Sequence, residues 1–412
     1  MAGPLSGTLV IDLSRVLAGP SCAQTLADLG AEVIKIERPG AGDDTRGWGP
    51  PFLKDRDGND TPDAAYYLAA NRGKQSVLAD LASREGQTVV RELARYADVV
   101  LENFKVGQLA KYGLDYASLS ELNPRLVYCS ITGFGQTGPY AQRAGYDFVI
   151  QGMSGFMSIT GEADDQPGGG PQKAGVAISD IMTGMVATQA ILAALLHRER
   201  SGAGQYIDMA LLDVMVSALA NMNTNYLTSG MPPRRWGNAH PNVVPYQTFQ
   251  TRDGWIIVAV GNNDQLRRFC EAGGSPGIAQ DPRFASNARR IENRAALIET
   301  LIPMVRQFDS ADWISRLEKA GVPCGPIATL DEVFANPQVE ARGLRIDLPR
   351  DDAGTIPLVG NPIRFSATPI EYDLAPPRLG EHTDPVLRRL LGYDDEAIAR
   401  YHASLTTTDD HS

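Results

Sequence analysis

Short apolar runs alternate with helical patterns through the first 200 residues of the chain. Residues 8–13 and 32–36 have the composition of buried strands, and residues 21–29 have the spacing of a helix that ends at Gly30. Such alternation is typical of repeated β-α-β units, which fold into a parallel sheet covered by helices. We therefore predict an α/β fold for this part of the chain.

The same pattern continues up to a long apolar helix. It predicts a helix at residues 85–96 and further strands at residues 76–81, 98–101, 126–131 and 174–178. The apolar stretch at residues 175–196 carries Asp180, Thr183 and Gln189. Membrane spans rarely hold an ionisable group, so we predict a buried helix and no contact with a membrane.

The style of the sequence changes after about residue 221. Residues 246–250 and 255–260 flank an Asp-Gly pair and predict a β-hairpin, and three helical patterns follow. We therefore predict three parts of the chain: a large α/β domain at residues 1–224, a small α+β domain at 225–328, and a C-terminal part at 329–412 that returns to the large domain.

Charge and rare residues exclude several classes of protein. The 38 Lys and Arg are outnumbered by 49 Asp and Glu, and a net charge of −11 argues against nucleic acid as a partner. The four cysteines and five histidines show no metal-ligand spacing, so we predict no metal. The first residues lack the features of a secretory signal, and we expect a cytoplasmic protein.

Basic residues recur in the loops next to the predicted strands. They are Arg15, Arg38, Arg72, Lys74 and Lys105. Because ligands of a parallel sheet bind beyond the carboxyl ends of its strands, this set favours an anionic ligand with several phosphates, although each cation alone is better explained as a solvated loop residue. The first turn reads Ala18-Gly19-Pro20 in place of GxGxxG, which argues against a dinucleotide.

Asp180 stands between an apolar run and an apolar helix. A carboxylate in that position is desolvated, which raises its pKa and its nucleophilicity, and Ser179 is the expected N-cap of the helix. The spacing alone leaves two interpretations open, a reactive carboxylate and a helix-capping residue.

Several stretches resemble the class III (CaiB/BaiF-type) CoA-transferases. They are SRVLAGPSCAQTLADLGAEVIKIERPGAGDDTRGWGPP, NRGKQSVLADL, ADVVLENF, ITGFGQTGPY, GVAISDIMTG, GVPCGPI and LGEHTDPVL. The resemblance runs over nearly the whole chain. It implies a Rossmann-like large domain, a small domain and an interlocked homodimer, with CoA or acyl-CoA as substrate and no permanently bound cofactor.

The resemblance also implies roles for individual residues. Asp180 falls on the family's catalytic nucleophile. The family's CoA-contacting positions fall on Leu17, Ala18, Arg38, Asn71, Arg72, Asn103, Phe104, Lys111 and Tyr146. The related racemases carry a histidine where this chain has Tyr146, and tyrosine is a poor proton shuttle at neutral pH because its pKa is near 10.

Differences from the family's sequence pattern, together with two further stretches, predict a dicarboxylic acid as the substrate. Leu17 replaces the glutamine of formyl-CoA transferases, whereas MSITGEADD and AHPNVVPYQTF resemble the branch that transfers CoA from succinyl-CoA to glutarate and related diacids. We predict that Arg46 and His240 bind the acceptor; the alternatives are that Arg46 pairs with Asp43 or Asp44 and that His240 only shapes a turn. A racemase-like isomerase and a non-catalytic CoA-binding protein are the other candidate functions.

Overall fold

The structure is a computed structural model that describes residues 3–406. Thirteen strands follow one another in this part of the chain: β1 (Leu9–Asp12), β2 (Glu32–Glu37), β3 (Phe52–Lys54), β4 (Asp60–Ala64), β5 (Lys74–Leu78), β6 (Val99–Glu102), β7 (Val127–Thr132), β8 (Gln205–Ala210), β9 (Tyr246–Gln250), β10 (Trp255–Ala259), β11 (Cys324–Pro326), β12 (Arg345–Arg350) and β13 (Gly354–Val359).

Eighteen α-helices accompany the strands in the described residues: α1 (Ala18–Asp28), α2 (Ala65–Leu68), α3 (Arg84–Tyr96), α4 (Tyr116–Leu122), α5 (Asp147–Met153), α6 (Phe156–Ile159), α7 (Ile178–Ser201), α8 (Leu211–Ala218), α9 (Ala220–Ser229), α10 (Asn263–Ala272), α11 (Gly277–Gln280), α12 (Asn287–Glu292), α13 (Arg294–Val305), α14 (Ser310–Ala320), α15 (Leu330–Phe334), α16 (Pro337–Ala341), α17 (Thr383–Leu391) and α18 (Asp395–Thr406). Short 3-10 helices cover Asp44–Gly47, Leu109–Tyr112 and Pro282–Phe284.

Six parallel strands form the main sheet, in the order β5-β2-β1-β6-β7-β8. Numbered along the chain, these strands lie in the order 3-2-1-4-5-6 of a doubly wound nucleotide-binding fold. The order reverses between β1 and β6, so the connections from these two strands diverge and leave a crevice at their carboxyl ends. The predicted Rossmann-like α/β fold is confirmed.

Helices cover both faces of this sheet because its strands are apolar on both sides. Ile11 and Ile34 pack with α3, α4, α17 and α18 on one face. Val10 and Val33, their neighbours in the strands, pack with α1, α7 and α8 on the other face. Successive side chains of a strand point to opposite faces, so a strand covered on both faces carries apolar residues at successive positions, and a charged exception such as Lys35 of β2 is buried in an ion pair with Asp43.

The predicted strand at residues 174–178 is wrong. Residues 174–177 form a loop, in which Val176 is 56% exposed, Ile178 begins α7, and the sixth strand of the sheet is β8, after α7. A short apolar run has no periodicity that distinguishes a strand from a loop leading into a helix.

The described chain divides into two compact units. The first contains residues 3–156, 174–224 and 338–406, and the second contains residues 157–173 and 225–337. The second unit is built on the antiparallel sheet β11-β10-β9, with Phe269 and Trp313 in its core.

The second unit is larger than the predicted small domain at residues 225–328. It also takes residues 157–173 and 329–337. The first of these segments is held by Arg235, which pairs with Asp164 and donates hydrogen bonds to the carbonyls of Ser158 and Glu162. Contacts between segments so far apart in the chain cannot be inferred from local composition.

Helix α7 is long and apolar enough to cross a membrane by length and composition. In the structure it packs closely on α1, and Ala187 and Ile191 are fully buried. One helix of this kind is weak evidence for a span, because the core helix of a folded domain has the same composition.

Candidate active site

A cleft in the first unit opens at the carboxyl ends of β1 and β6, where the strand order reverses. Its cavity volume is about 220 Å³. Six of the residues predicted for the site line it: Leu17, Ala18, Asn103, Phe104, Tyr146 and Asp180. The structure thus brings together residues that are up to 163 positions apart in the chain.

The loops after β1 and β6 are tied together by one side chain. The Asn103 amide donates to the Arg15 carbonyl at 2.7 Å, and its oxygen accepts the Arg15 N–H at 2.9 Å. The guanidinium of Arg15 lies 5.3 Å from the centre of the Phe104 ring, and the Phe104 N–H donates to the buried Glu102 carboxylate at 2.7 Å. These bonds fix the shape of the cleft entrance.

Glycines allow the close approaches that build the rest of the cleft. A Cβ at Gly133 would lie 2.4 Å from the Cα of Gly145, so the loop after β7 and the segment before α5 touch through their backbones. A Cβ at Gly184 would lie 2.7 Å from the Ala18 carbonyl oxygen, which allows α7 to approach α1 closely. The second contact places the first turn of α7 beside Ala18 in the cleft.

Asp180 lies in the first turn of α7, but it does not cap the helix. The helix begins at Ile178, and Ser179 is its second residue and not the N-cap. The cap comes from Asp147, whose Oδ1 accepts the Ser179 N–H at 2.9 Å and the Ser179 hydroxyl at 2.6 Å. Because Asp147 supplies the capping carboxylate, Asp180 is free for another role.

The Asp180 carboxyl is poorly solvated and has no ion pair with any residue of the described part of the chain. Burial and then the nearby charge of Asp147 raise the pKa of Asp180 to about 7. Burial and the charge of Asp180 in turn raise the pKa of Tyr66, which contacts Trp48 edge-on with ring centres 5.2 Å apart. A carboxylate that is poorly solvated in its charged form is a stronger nucleophile.

The rate of the reaction should depend on pH through the Asp180 carboxylate. A nucleophilic Asp180, as the sequence predicts, would attack only in its ionised form, so kcat/KM for an acyl-CoA should fall as the pH drops below about 7. Asp147→Asn removes the neighbouring charge and should move this acid limb to lower pH. The measurement is the kcat/KM profile from pH 5 to 9 for both proteins, and an acid limb that stays in place in the variant would contradict the coupling.

A second cavity of about 170 Å³ adjoins the loops after β1, β2 and β5. Its lining is mainly apolar and includes Arg38, which is exposed and pairs with Asp44 at 2.8 Å. Lys111 is exposed in the turn between Gln108 and Tyr112, two other lining residues. The cavity shares Arg15, Phe104 and Gln108 with the active-site cleft.

The structure does not bring Asn71 and Arg72 to either of these two cavities, which gives no support to the prediction that they bind CoA; Arg72 lines a third cavity, of about 320 Å³. Both residues precede β5, and residues before a parallel strand lie at the amino edge of the sheet, away from the cleft. Arg72 is buried and forms two hydrogen bonds with the Asp28 carboxylate at 2.6 and 2.9 Å. Asn71 is buried between the Tyr67 carbonyl and the Lys74 ammonium.

Arg46 is buried among ion-pair partners, which argues against its predicted role in acceptor binding. It is 4% exposed, and its guanidinium pairs with Glu37 at 2.7 Å and with Asp63 at 2.5 Å. Its Nη2 also donates to the Tyr67 hydroxyl and the Pro377 carbonyl. All three guanidinium nitrogens therefore have hydrogen-bond partners inside the protein. These partners do not include Asp43 or Asp44, which were the alternative partners considered from the sequence.

His240 belongs to the second unit and shapes a turn there. Its Nδ1 accepts the Asn242 N–H at 3.0 Å, its backbone N–H donates to the Tyr246 carbonyl, and its ring lies 5.3 Å from that of Tyr246. A role of His240 toward the acceptor stays a prediction.

Some residues of the cleft were not singled out from the sequence. Arg143 lines it beside Lys105, and both add positive charge. Asp147 holds the helix that carries Asp180. The Gly145-Tyr146-Asp147 triplet was the available signal for Asp147, but only the fold shows which helix it caps. Within residues 3–406, no group of three or more His, Cys, Asp or Glu side chains is arranged to hold a metal ion.

The chain is similar to known proteins over nearly its whole length. A model described as CoA-transferase family III matches residues 5–383. The chain is 56% identical over 387 residues to a succinate–glutarate CoA-transferase of Agrobacterium fabrum, covering 94% of this chain and 96% of the relative. It is 42% identical to the human succinyl-CoA:glutarate CoA-transferase, covering 96% and 88%. A crystal structure of a CaiB/BaiF family protein from Brucella suis superposes with a TM-score of 0.84 at 51% identity, covering 95% and 100%.

Proposed function

Because this chain belongs to CoA-transferase family III, we propose that it moves CoA from succinyl-CoA to a dicarboxylic acid through covalent intermediates on Asp180. One observation carries the proposal: a poorly solvated carboxylate, with its pKa raised to about 7, lines the cleft where the strand order of the sheet reverses. The two relatives named for succinate, or succinyl-CoA, and glutarate support the choice of donor and acceptor class.

The first half of the reaction transfers CoA to the enzyme. An oxygen of Asp180 attacks the thioester carbonyl, the C–S bond breaks, and CoA leaves as a thiolate, which gives an aspartyl-succinyl anhydride. The thiolate then attacks the aspartyl carbonyl of the anhydride, which releases succinate and forms an aspartyl-CoA thioester. The acyl activation of the donor is kept in both intermediates.

The second half runs the same steps with the acceptor. The acceptor carboxylate attacks the aspartyl thioester and displaces the thiolate, which forms a new mixed anhydride. The thiolate attacks the acceptor's carbonyl in that anhydride, so the acceptor leaves as its CoA ester and Asp180 is regenerated as a carboxylate. No net proton transfer occurs, and so the mechanism needs no general base.

Backbone N–H groups near Asp180 are the candidates for stabilising the negative charge that develops on the carbonyl oxygens. The Gly135 N–H already donates to the Thr132 hydroxyl at 2.9 Å. Gly133, which lines the cleft, is therefore a better candidate within the Gly133-Phe134-Gly135 loop than Gly135.

The two adjoining cavities suit a long, anionic thioester. We assign the reactive end of CoA to the cleft with Asp180 and its nucleotide end to the cavity with Arg38, with Lys111 nearby. Arg15 and Phe104 line both cavities, so one extended ligand can contact both. Arginine and lysine are suited to phosphate through charge-assisted hydrogen bonds.

A pair of arginine variants tests this assignment. Arg38→Gln should raise KM for the acyl-CoA roughly tenfold and leave KM for the acid unchanged, because it removes a charge-assisted contact with CoA. Arg72→Gln should leave both KM values unchanged and lower the free energy of unfolding by about 3 kcal/mol, because the buried Asp28 loses its partner. Steady-state kinetics and chemical unfolding give the two readouts, and a raised acyl-CoA KM in Arg72→Gln alone would reverse the assignment.

The reaction itself is tested with succinyl-CoA and a panel of acids in deuterated water, followed by mass spectrometry of the CoA esters. A new CoA ester without deuterium at the α-carbon supports the proposal. Deuterium at the α-carbon without a new ester would mean an isomerase, and bound but unchanged succinyl-CoA would mean a CoA-binding protein. The homodimer and the cytoplasmic location stay predictions.

A further inference from the structure

Two arginines and a tryptophan form a compact group in the second unit. The guanidinium carbon of Arg234 lies 3.8 Å from the centre of a Trp236 ring, and that of Arg294 lies 4.4 Å from it. Arg294 also donates through Nη2 to the carbonyls of His240 and Pro241, at 3.0 and 2.9 Å. We refer to Arg234, Trp236 and Arg294 as the Arg-Trp cluster.

The positive charge of the Arg-Trp cluster is not neutralised within the part of the chain that the structure describes. Neither Arg234 nor Arg294 forms an ion pair there, whereas the intervening Arg235 pairs with Asp164. Burial and the charge of Arg234 lower the pKa of Arg294, so the two guanidinium groups are close enough to repel each other. An anion bound to the cluster would remove this repulsion.

Donors for such an anion are present in the cluster and beside it. Arg294 uses Nη2 for the two carbonyls, while its Nε and Nη1 have no hydrogen-bond partner among residues 3–406. His240, whose carbonyl Arg294 contacts, accepts the Asn242 N–H at Nδ1, which places the proton of the neutral ring on Nε2. Arg234 is exposed and makes no hydrogen bond to the described residues.

We propose that the Arg-Trp cluster is a binding site for an aliphatic dicarboxylate such as succinate or glutarate. The guanidinium of Arg234 can pair with one carboxylate through two parallel hydrogen bonds, and Arg294 can donate a charge-assisted hydrogen bond to the other carboxylate through Nε or Nη1. The Trp236 ring holds both arginine side chains in place, which lowers the entropic cost of ordering them. Only the choice of these acids rests on the proposed function; the cluster itself is observed in the second unit.

Binding of glutarate to the full-length protein, measured by isothermal titration calorimetry in the absence of CoA esters, tests the site. Arg234→Gln should weaken glutarate binding roughly tenfold, as the loss of one charge-assisted pair requires. Arg294→Gln should weaken it at least as much, but this variant also loses bonds to the chain, so the exposed Arg234 is the decisive position. Arg289→Gln, which removes an exposed arginine paired with Glu292 on the same unit, is the matched control and should bind as the wild type does.

Three results would overturn the proposal. They are unchanged glutarate binding in Arg234→Gln, equal weakening in Arg289→Gln, and binding of inorganic phosphate or butyrate as tight as that of glutarate. Asp180→Asn separates this site from the proposed catalytic function: it should remove transfer and leave the Arg234-dependent glutarate binding intact. If the wild type binds glutarate through Arg234 but transfers no CoA, the proposed function fails and the binding site stands.

Discussion

Asp180→Asn should lower the rate of CoA transfer by roughly a thousandfold or more while leaving CoA binding nearly unchanged. The amide has almost the shape of the carboxylate, but it is not a nucleophile toward a thioester. The helix start should stay intact because Asp147, and not Asp180, caps α7. The measurements are the transfer rate and the dissociation constant for CoA.

Two controls accompany this variant. Asp165→Asn changes an exposed aspartate of the second unit and should keep the wild-type rate. Burial of Asp180 raises its pKa in the folded protein, so its ionisation costs stability as the pH rises from the unfolded value through about 7. Asp180→Asn should therefore be at least as stable as the wild type at pH 8. A folded variant that keeps more than a few per cent of the rate would remove Asp180 from the role of nucleophile.

Arg46→Met should lower the free energy of unfolding by about 3–5 kcal/mol, because it leaves the buried Glu37 carboxylate without its ion-pair partner and Asp63 with Arg350 alone. Glu37 and Asp63 are 3% and 1% exposed and both pair with Arg46. Although burial opposes ionisation, the hydrogen bonds and charge of Arg46 hold the pKa of Glu37 below its usual range. The loss of stability caused by Arg46→Met should therefore be largest at neutral pH and should decrease at acidic pH, where Glu37 becomes protonated.

Chemical unfolding of Arg46→Met is compared with two related variants. Arg46→Lys keeps the charge but loses the forked geometry, so it should lose less stability. Arg38→Met removes an exposed ion pair and should change the free energy of unfolding by about 1 kcal/mol at most. Any loss of transfer activity in Arg46→Met should be equal for dicarboxylic and monocarboxylic acceptor acids. Full stability with a selective loss for dicarboxylic acids would restore Arg46 to the acceptor site.

Several parts of the candidate site follow from the sequence because short segments determine them. The alternation of apolar strands and helices predicts a parallel sheet covered by helices, and the loops that follow such strands lie along one edge of the sheet. The loop residues Leu17, Ala18, Asn103 and Phe104 then reach one cleft. The isolated carboxylate of Asp180 at the start of an apolar helix is likewise a local feature.

The tertiary structure decided the roles that depend on partners distant in the chain. Arg46 looks like a free loop arginine until Asp63 and Pro377, 17 and 331 positions away, surround it. Arg72 is bound to Asp28, 44 positions away.

Asp180 depends on both the local sequence and the tertiary structure. Its position in an apolar helix is determined by its neighbours in the chain. Asp180 is free to react because another carboxylate caps the helix. That carboxylate belongs to Asp147, which is 32 positions from Ser179, the residue whose N–H it accepts. Local side-chain patterns determine where strands and helices form, whereas the partner of a charged side chain is chosen by packing between elements, and packing exists only once the chain has folded.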